Sequence, residues 1–206
     1  MASVFNRSAC AAHHLRTYTE PRGNRAFAAY DRLGEPFQLD PVDLMAPGIL
    51  QAPVRGEHVI AMFQAEGAFA ELRLALQAVV ADEAAASARF EDLDLNSEDG
   101  PWGLVRASLR ASDRTPRIKA SIVTKILHRK RPHLVPIFDS KVAQFYGITP
   151  ARPWGLWPLL QQDVQQHSSW LDQLASGITT PDGRPLSRLR TLDIVIWEHM
   201  TSGECE

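Results

Sequence analysis

The stretch "KILHRKRPHLVPIFDSKV", residues 125–142, decides the predicted fold. Its first residues continue an amphipathic helix, whose apolar stripe repeats every three or four residues. Pro132 ends that helix, because a proline disfavours helical backbone in the residue before it. Asp139 then stands where a helix N-cap is expected, before a short helix that Gly147 ends. The sequence therefore predicts two helices joined by a short, apolar and buried connection. The apolar stripe consists of Ile118, Ile122, Val123, Ile126 and Leu127.

Helix signals recur along the rest of the chain. Asp40 and Pro41 supply an N-cap and a first helical residue, for example. No segment shows the period-two alternation that is typical of a half-buried strand. We therefore expect an all-α protein with roughly eight to ten helices in a single domain. The expected boundaries are a polar, flexible N-terminal arm at 1–26, the helical domain at 27–201 and a tail at 202–206.

Composition excludes several classes of protein. No stretch approaches the ~20 apolar residues that a membrane helix needs, and the N-terminus lacks the apolar core of a signal peptide. Cys10 and Cys205 stand near opposite ends, with no C-x-x-C motif and no Cys/His cluster at zinc spacing. We therefore expect a cytoplasmic protein without a membrane segment, a disulfide framework, a bound metal or a cofactor.

Positive charge is concentrated in residues 106–141. This segment holds ten Lys/Arg and two acidic residues, although the whole chain has a formal net charge of −2. Such a segment indicates a nucleic-acid partner, and an ordinary solvated helix face is the equal alternative. Lys119, Lys125 and Lys130 fall outside the apolar stripe, so we expect them on the surface. Trp154, in a proline-rich loop, is either a base-stacking residue or part of the core.

Asp139 is the candidate catalytic residue. A helix dipole and nearby cations stabilise a carboxylate as the anion. Such an anion can stabilise an oxocarbenium ion or activate a water, which is the chemistry of N-glycosidic bond cleavage. The alternative is structural, because an Asp before a helix commonly accepts hydrogen bonds from the first backbone amides.

The same residues resemble a known arrangement. In helix-hairpin-helix DNA glycosylase-like proteins, a helix, a short apolar connection and a helix-starting Asp occur in this order. The chain more closely resembles an uncharacterised bacterial family, domain of unknown function 6308. That resemblance covers about residues 27–200 and rests on "PVDLMAP" (41–47), on "KILHRKRP" (125–132) followed by Pro136 and Asp139, and on the terminal "LSRLRTLDIVIWEHM".

The glycosylase resemblance implies specific roles. It makes Asp139 the catalytic carboxylate, and it aligns Arg117-Ile118-Lys119 with a Gly-Val-Gly turn whose amides hold a DNA phosphate. Losing both glycines removes the close backbone approach, so Arg117 and Lys119 would have to contact phosphate through their side chains. The Schiff-base Lys of bifunctional glycosylases falls at Ser121, so the implied reaction is monofunctional hydrolysis.

Three hypotheses follow. The protein is a helix-hairpin-helix glycosylase-like hydrolase, a nucleic-acid-binding module without catalysis, or a biosynthetic enzyme that uses this fold for a small nucleotide-like or acidic substrate. The expected nucleic-acid-binding residues are Arg117, Lys119, Lys125, Arg129, Lys130, Arg131, Lys141 and Trp154.

Overall fold

The computed structural model describes residues 4–6, 8–20, 25–149 and 153–202, which form helices and no β-strand. The prediction of an all-α protein is confirmed. The α-helices in this part of the chain are α1 (Ser8–Thr19), α2 (Arg25–Tyr30), α3 (Pro41–Met45), α4 (Gly56–Met62), α5 (Ala68–Ala81), α6 (Glu83–Ser87), α7 (Gly100–Arg114), α8 (Ala120–Lys130), α9 (Ser140–Phe145), α10 (Leu156–Gln166), α11 (Ser168–Ala175) and α12 (Arg188–Ser202). Short 3-10 helices occupy Val4–Asn6, Ala46–Leu50, Phe90–Asp92 and Pro153–Gly155.

These twelve helices exceed the predicted eight to ten because local signals divide several segments. Gly67, with φ of 98°, separates α4 from α5. The Asp82 carboxylate accepts a hydrogen bond from the amide of Ala85 at 2.6 Å and so begins α6. His167 separates α10 from α11. Each break places a small or polar residue where the backbone leaves the helical region.

The chain forms two compact units. The first contains the described residues up to Arg32 and from Pro136 onward, and the second is Leu33–Val135. The single helical domain expected at 27–201 remains a prediction. Part of the expected N-terminal arm is α1, a helix of the first unit with buried apolar side chains. Of the expected tail, only Ser202 lies among the described residues.

Helices α5 and α7 form the centre of the second unit, and α8 packs against both. Leu76 of α5 and Leu109 of α7 are buried in this core. Gly103 on α7 must be a glycine, because a Cβ there would overlap the backbone oxygen of Glu98. The predicted apolar stripe of α8 is confirmed. Its fully buried members are Ile118, Val123, Ile126 and Leu127.

Helix α12 forms the centre of the first unit and contacts α1, α9 and α11. Its Arg190 is buried, donates two hydrogen bonds of 2.8 Å to Asp31 and donates another of 2.5 Å to Asp193. The rings of Tyr18 and Tyr30 lie 5.3 and 5.2 Å from the guanidinium. Burial acts to lower the pKa of Arg190, but the neighbouring carboxylates raise it well above its ordinary value. An internal ion pair therefore holds this core.

Cys10 lies on α1, with its Sγ 3.3 Å from His14 Nε2. Cys10 is disulfide-bonded, although the spacing of the cysteines in the sequence indicates no disulfide framework. Cys205, the other cysteine of the sequence, lies outside the described residues. In the described part of the chain, no helix is long and apolar enough to cross a membrane. Nor do those residues include a group of three or more His, Cys, Asp or Glu side chains arranged around a metal position.

Candidate nucleic-acid interface

The basic run of α8 is buried inside the second unit. Lys125, Arg129, Lys130 and Arg131, all expected to bind a nucleic acid, expose 9% of their surface or less. The expectation that Lys125 and Lys130 lie on the surface is therefore wrong. Charged groups tolerate such burial only where they find partners, because an unpaired buried charge is costly.

Asp43 of α3 supplies the carboxylate for two of these cations. Its Oδ1 accepts a hydrogen bond from Arg129 Nε at 2.9 Å, and its Oδ2 lies 2.6 Å from Lys130 Nζ. The same carboxylate accepts a hydrogen bond from the amide of Asp40, which completes a capping box at the start of α3. One buried carboxylate therefore caps α3 and pairs with the end of α8.

Backbone carbonyls accept further hydrogen bonds from Lys130 and one from Lys125. Lys130 Nζ donates to the carbonyl of Leu33 at 3.0 Å and to that of Glu35 at 2.8 Å. Lys125 Nζ donates to the carbonyl of Leu50 at 3.0 Å. The lysines thereby bind both ends of the segment 33–50 to α8.

Arg131, which follows the last residue of α8, has a similar set of partners. Its guanidinium donates to the carbonyls of Pro36 and Lys130, both at 2.8 Å, and to the carbonyl of Val80. The guanidinium also lies 5.2 Å from the ring centre of Phe37. Burial lowers the pKa of Arg131. The ion pairs of Asp43 with Arg129 and Lys130 join the "PVDLMAP" and "KILHRKRP" motifs. These buried charges fix the position of each motif against the other.

Two further cations of the basic segment lie on α7 and contact an acidic loop. Arg106 and Arg110 lie 2.8 and 2.9 Å from the carboxylate oxygens of Glu98. Arg106 also donates to the carbonyl of Asn96 at 3.1 Å. The hydrogen bond from Arg110 lowers the pKa of Glu98. These two arginines therefore attach the loop before α7 to the helix.

The turn between α7 and α8 exposes Arg117 and Lys119 to solvent. Ile118, between them, is fully buried and anchors the turn. Arg117 has φ of 64°, the left-handed region, which costs a residue with a Cβ about 1–2 kcal/mol. Lys119 is the N-cap of α8, and its Nζ lies 3.5 Å from the carbonyl of Asp113. The first turn of α8 contains no acidic residue.

The remaining predicted site residues, Asp139, Lys141 and Trp154, belong to the first unit. Asp139 Oδ1 accepts a hydrogen bond from the amide of Lys141 at 2.9 Å, so the predicted N-cap of α9 is confirmed. The side chains of Asp139 and Lys141 are half-buried. Trp154 exposes 44% of its surface and does not belong to the core. The candidate catalytic residue and the cations of α8 therefore lie in different units.

The chain belongs to DUF6308, a family of unknown function, because the model of that family matches residues 11–200. The matched range includes residues of both units. It also includes the "PVDLMAP" and "KILHRKRP" motifs, which Asp43, Arg129 and Lys130 join. Searches found no matching curated protein and no matching solved structure.

Proposed function

We propose that this protein binds the sugar-phosphate backbone of a nucleic acid through the turn between α7 and α8. The observation that carries the proposal is the backbone of Arg117, an exposed residue in the left-handed region. The helix-hairpin-helix pattern has a glycine at this position. Arg117 adopts the backbone conformation that glycine favours, and it also carries a cationic side chain. Because the side chain of Arg117 is exposed, its packing does not explain the strained backbone. Residues with such strain concentrate at functional sites.

Charge at the turn fits the same role. Arg117 and Lys119 flank the buried Ile118, so both cations extend from an anchored backbone. The amino end of α8 adds partial positive charge, and no carboxylate in its first turn offsets that charge. With two cations at the contact, we expect weak binding without sequence preference, with Kd on the order of 10⁻⁴ to 10⁻⁶ M.

The experiment compares Arg117→Ala and Lys119→Ala with Arg55→Ala as the matched control. Arg55 is another exposed arginine of the second unit, paired with Glu57 at 3.4 Å and remote in sequence from the turn. Fluorescence anisotropy at low salt would measure affinity for a labelled DNA duplex and for an RNA duplex of the same sequence. We expect each turn variant to bind several-fold more weakly, because a cation–phosphate contact is lost, and the control to match the wild type.

Two outcomes would overturn the proposal. One is a wild-type protein that binds neither duplex at low salt. The other is a control variant that loses as much affinity as the turn variants, since that result would attribute binding to overall charge.

Hydrolysis of an N-glycosidic bond by Asp139 is the second candidate function. It is supported by the position of this carboxylate at a helix start and by its partial exposure. The carboxylate would stabilise the oxocarbenium ion that forms as the bond from C1′ to the base breaks and the base leaves with the bonding electrons. Water would then add its oxygen at C1′, and its proton would pass to the departing base. Ser121, at the place of the Schiff-base lysine, favours this monofunctional reaction over β-lyase chemistry.

Two variants of Asp139 separate its chemical role from its structural one. Asn is as good an N-cap as Asp, so Asp139→Asn should change the free energy of unfolding little, whereas Asp139→Ala should cost about 1 kcal/mol. Both should abolish formation of abasic sites in duplexes that carry one deaminated, oxidised or alkylated base. Full activity in Asp139→Asn, or none in the wild type, would reject hydrolysis and leave the binding proposal standing.

A further inference from the structure

Cys10 and His14 form a buried pair on α1 that the proposed nucleic-acid binding does not use. The two residues are one helical turn apart, and Cys10 Sγ lies 3.3 Å from His14 Nε2. Cys10 is disulfide-bonded. The sequence contains one other cysteine, Cys205, which lies outside the described residues. A disulfide within this chain can therefore only join Cys10 to Cys205, which would tie α1 to the tail that follows α12.

The surroundings of Cys10 favour its thiolate form. The residue lies in the first turn of α1, where the amino end of a helix stabilises negative charge, and that turn contains no acidic residue. A helix amino end and a protonated histidine both lower the pKa of a cysteine thiol. Since a thiol of lower pKa leaves faster in thiol–disulfide exchange, Cys10 is well suited to be the leaving group when its disulfide is attacked.

His14 can take up a proton as the disulfide opens. Its pKa is lowered by burial and, to a smaller extent, by the nearby His13 and His199. The ring is therefore neutral at neutral pH while the disulfide is closed. A negative charge on Cys10 Sγ would raise the pKa of His14, because an opposite charge at 3.3 Å stabilises the imidazolium. Proton uptake by His14 thus stabilises the thiolate of Cys10.

We infer that the disulfide of Cys10 is a redox switch that a dithiol reductant opens with the help of His14. Burial of Cys10 restricts attack on its own sulfur, so a thiolate of the reductant attacks the sulfur of Cys205 and forms a mixed disulfide. The electron pair of the broken S–S bond leaves with Cys10 as its thiolate, beside His14. The second thiol of the reductant then displaces Cys205 and becomes part of the oxidised dithiol. Two electrons and two protons pass from the reductant to the two cysteines.

Reduction removes a constraint on nearly the whole chain. A bond between Cys10 and Cys205 closes a loop that includes residues of both units. Closing so long a loop lowers the conformational entropy of the unfolded chain and so stabilises the folded one. In the reduced protein, α1 is held to α12 by packing alone. The switch therefore controls how readily the first unit opens.

Non-reducing peptide mapping and thermal unfolding test the disulfide. Protein purified without a reductant should yield a linked pair of peptides that contain Cys10 and Cys205. Dithiothreitol should lower the Tm by roughly 10 °C, because the long loop is no longer closed. Cys10→Ser and Cys205→Ser should each melt where the reduced wild type melts, and dithiothreitol should shift neither. Two free thiols in the wild-type protein, or a bond between two copies of the chain, would overturn the inference.

The rate at which dithiothreitol reduces the native protein distinguishes a switch from a purely structural disulfide. His14→Gln retains an N–H donor but cannot take up a proton, so its disulfide should be reduced about 5-fold more slowly. Partial unfolding would expose the disulfide and accelerate reduction, so slower reduction cannot arise from misfolding. Equal native rates for the wild type and His14→Gln would show that His14 does not assist opening and would overturn the switch.

His13→Ala is the matched control for His14→Gln. His13 lies on the same helix, with its ring centre 6.2 Å from that of His14. Its variant should be reduced at the wild-type rate, because the histidine next to the sulfur remains. In guanidinium chloride the wild type and both variants should be reduced at one rate, since unfolding separates His14 from Cys10. A rate difference that persists in the unfolded proteins would also contradict the assigned role of His14.

Discussion

The two ends of α8 are both rich in positive charge, and the structure uses them in opposite ways. From the middle of α8 to the residue after its carboxyl end, the basic side chains are buried and bind Asp43 and backbone carbonyls; they are Lys125, Arg129, Lys130 and Arg131. At the amino end, Arg117 and Lys119 are exposed on a turn. A count of basic residues therefore overstates the surface available to a nucleic acid.

The difference arises from what each end packs against. The carboxyl end lies beside the segment 33–50, whose carbonyls at Leu33, Glu35 and Leu50 accept hydrogen bonds from the lysines. Long basic side chains reach such carbonyls while their methylene groups remain in apolar surroundings. The amino end follows a tight turn, where the only buried side chain among the three turn residues is that of Ile118.

Removal of the buried carboxylate should produce the largest effect at the carboxyl end of α8. Asp43→Asn removes the carboxylate that both Arg129 and Lys130 contact, so we expect it to reduce the free energy of unfolding by about 3–5 kcal/mol. Urea denaturation measures this loss. Asp40→Asn is the matched control, because Asn is an equally good N-cap and should cost well under 1 kcal/mol. Similar losses in the two variants would show that the buried ion pairs do not stabilise the second unit.

A smaller effect of opposite sign is expected at the amino end. Arg117→Gly removes the penalty of a left-handed arginine, so it should stabilise the protein by about 1 kcal/mol or less, measured by urea denaturation. Arg117→Ala retains the penalty and should not stabilise. Both variants should lose the same nucleic-acid affinity. Equal stabilities for the Gly and Ala variants would contradict the assigned backbone strain.

Local rules predict the helix starts well. Asp40 with Pro41 and Asp139 begin α3 and α9 as the sequence indicates, because an N-cap depends on neighbours within three residues. The burial of Lys130 could not be predicted in this way, since its partner Asp43 lies far away in the chain. The acid within the apolar "PVDLMAP" motif is the one signal that could have suggested a buried partner.

The backbone geometry of the candidate site could not be predicted from the sequence. Arg117 was expected to contact phosphate, but its left-handed backbone was not, because an arginine carries no preference for positive φ. The catalytic assignment of Asp139 remains a prediction, and its capping role is confirmed.

The salt dependence of nucleic-acid binding tests the central claim most directly. If only Arg117 and Lys119 contact phosphate, a plot of log K against log salt concentration should have a slope of about −1 to −2 for duplex DNA. The Arg117→Ala/Lys119→Ala double variant should reduce that slope to near zero. A wild-type slope of about −4 or steeper would require cations beyond the turn, and that result would contradict the account.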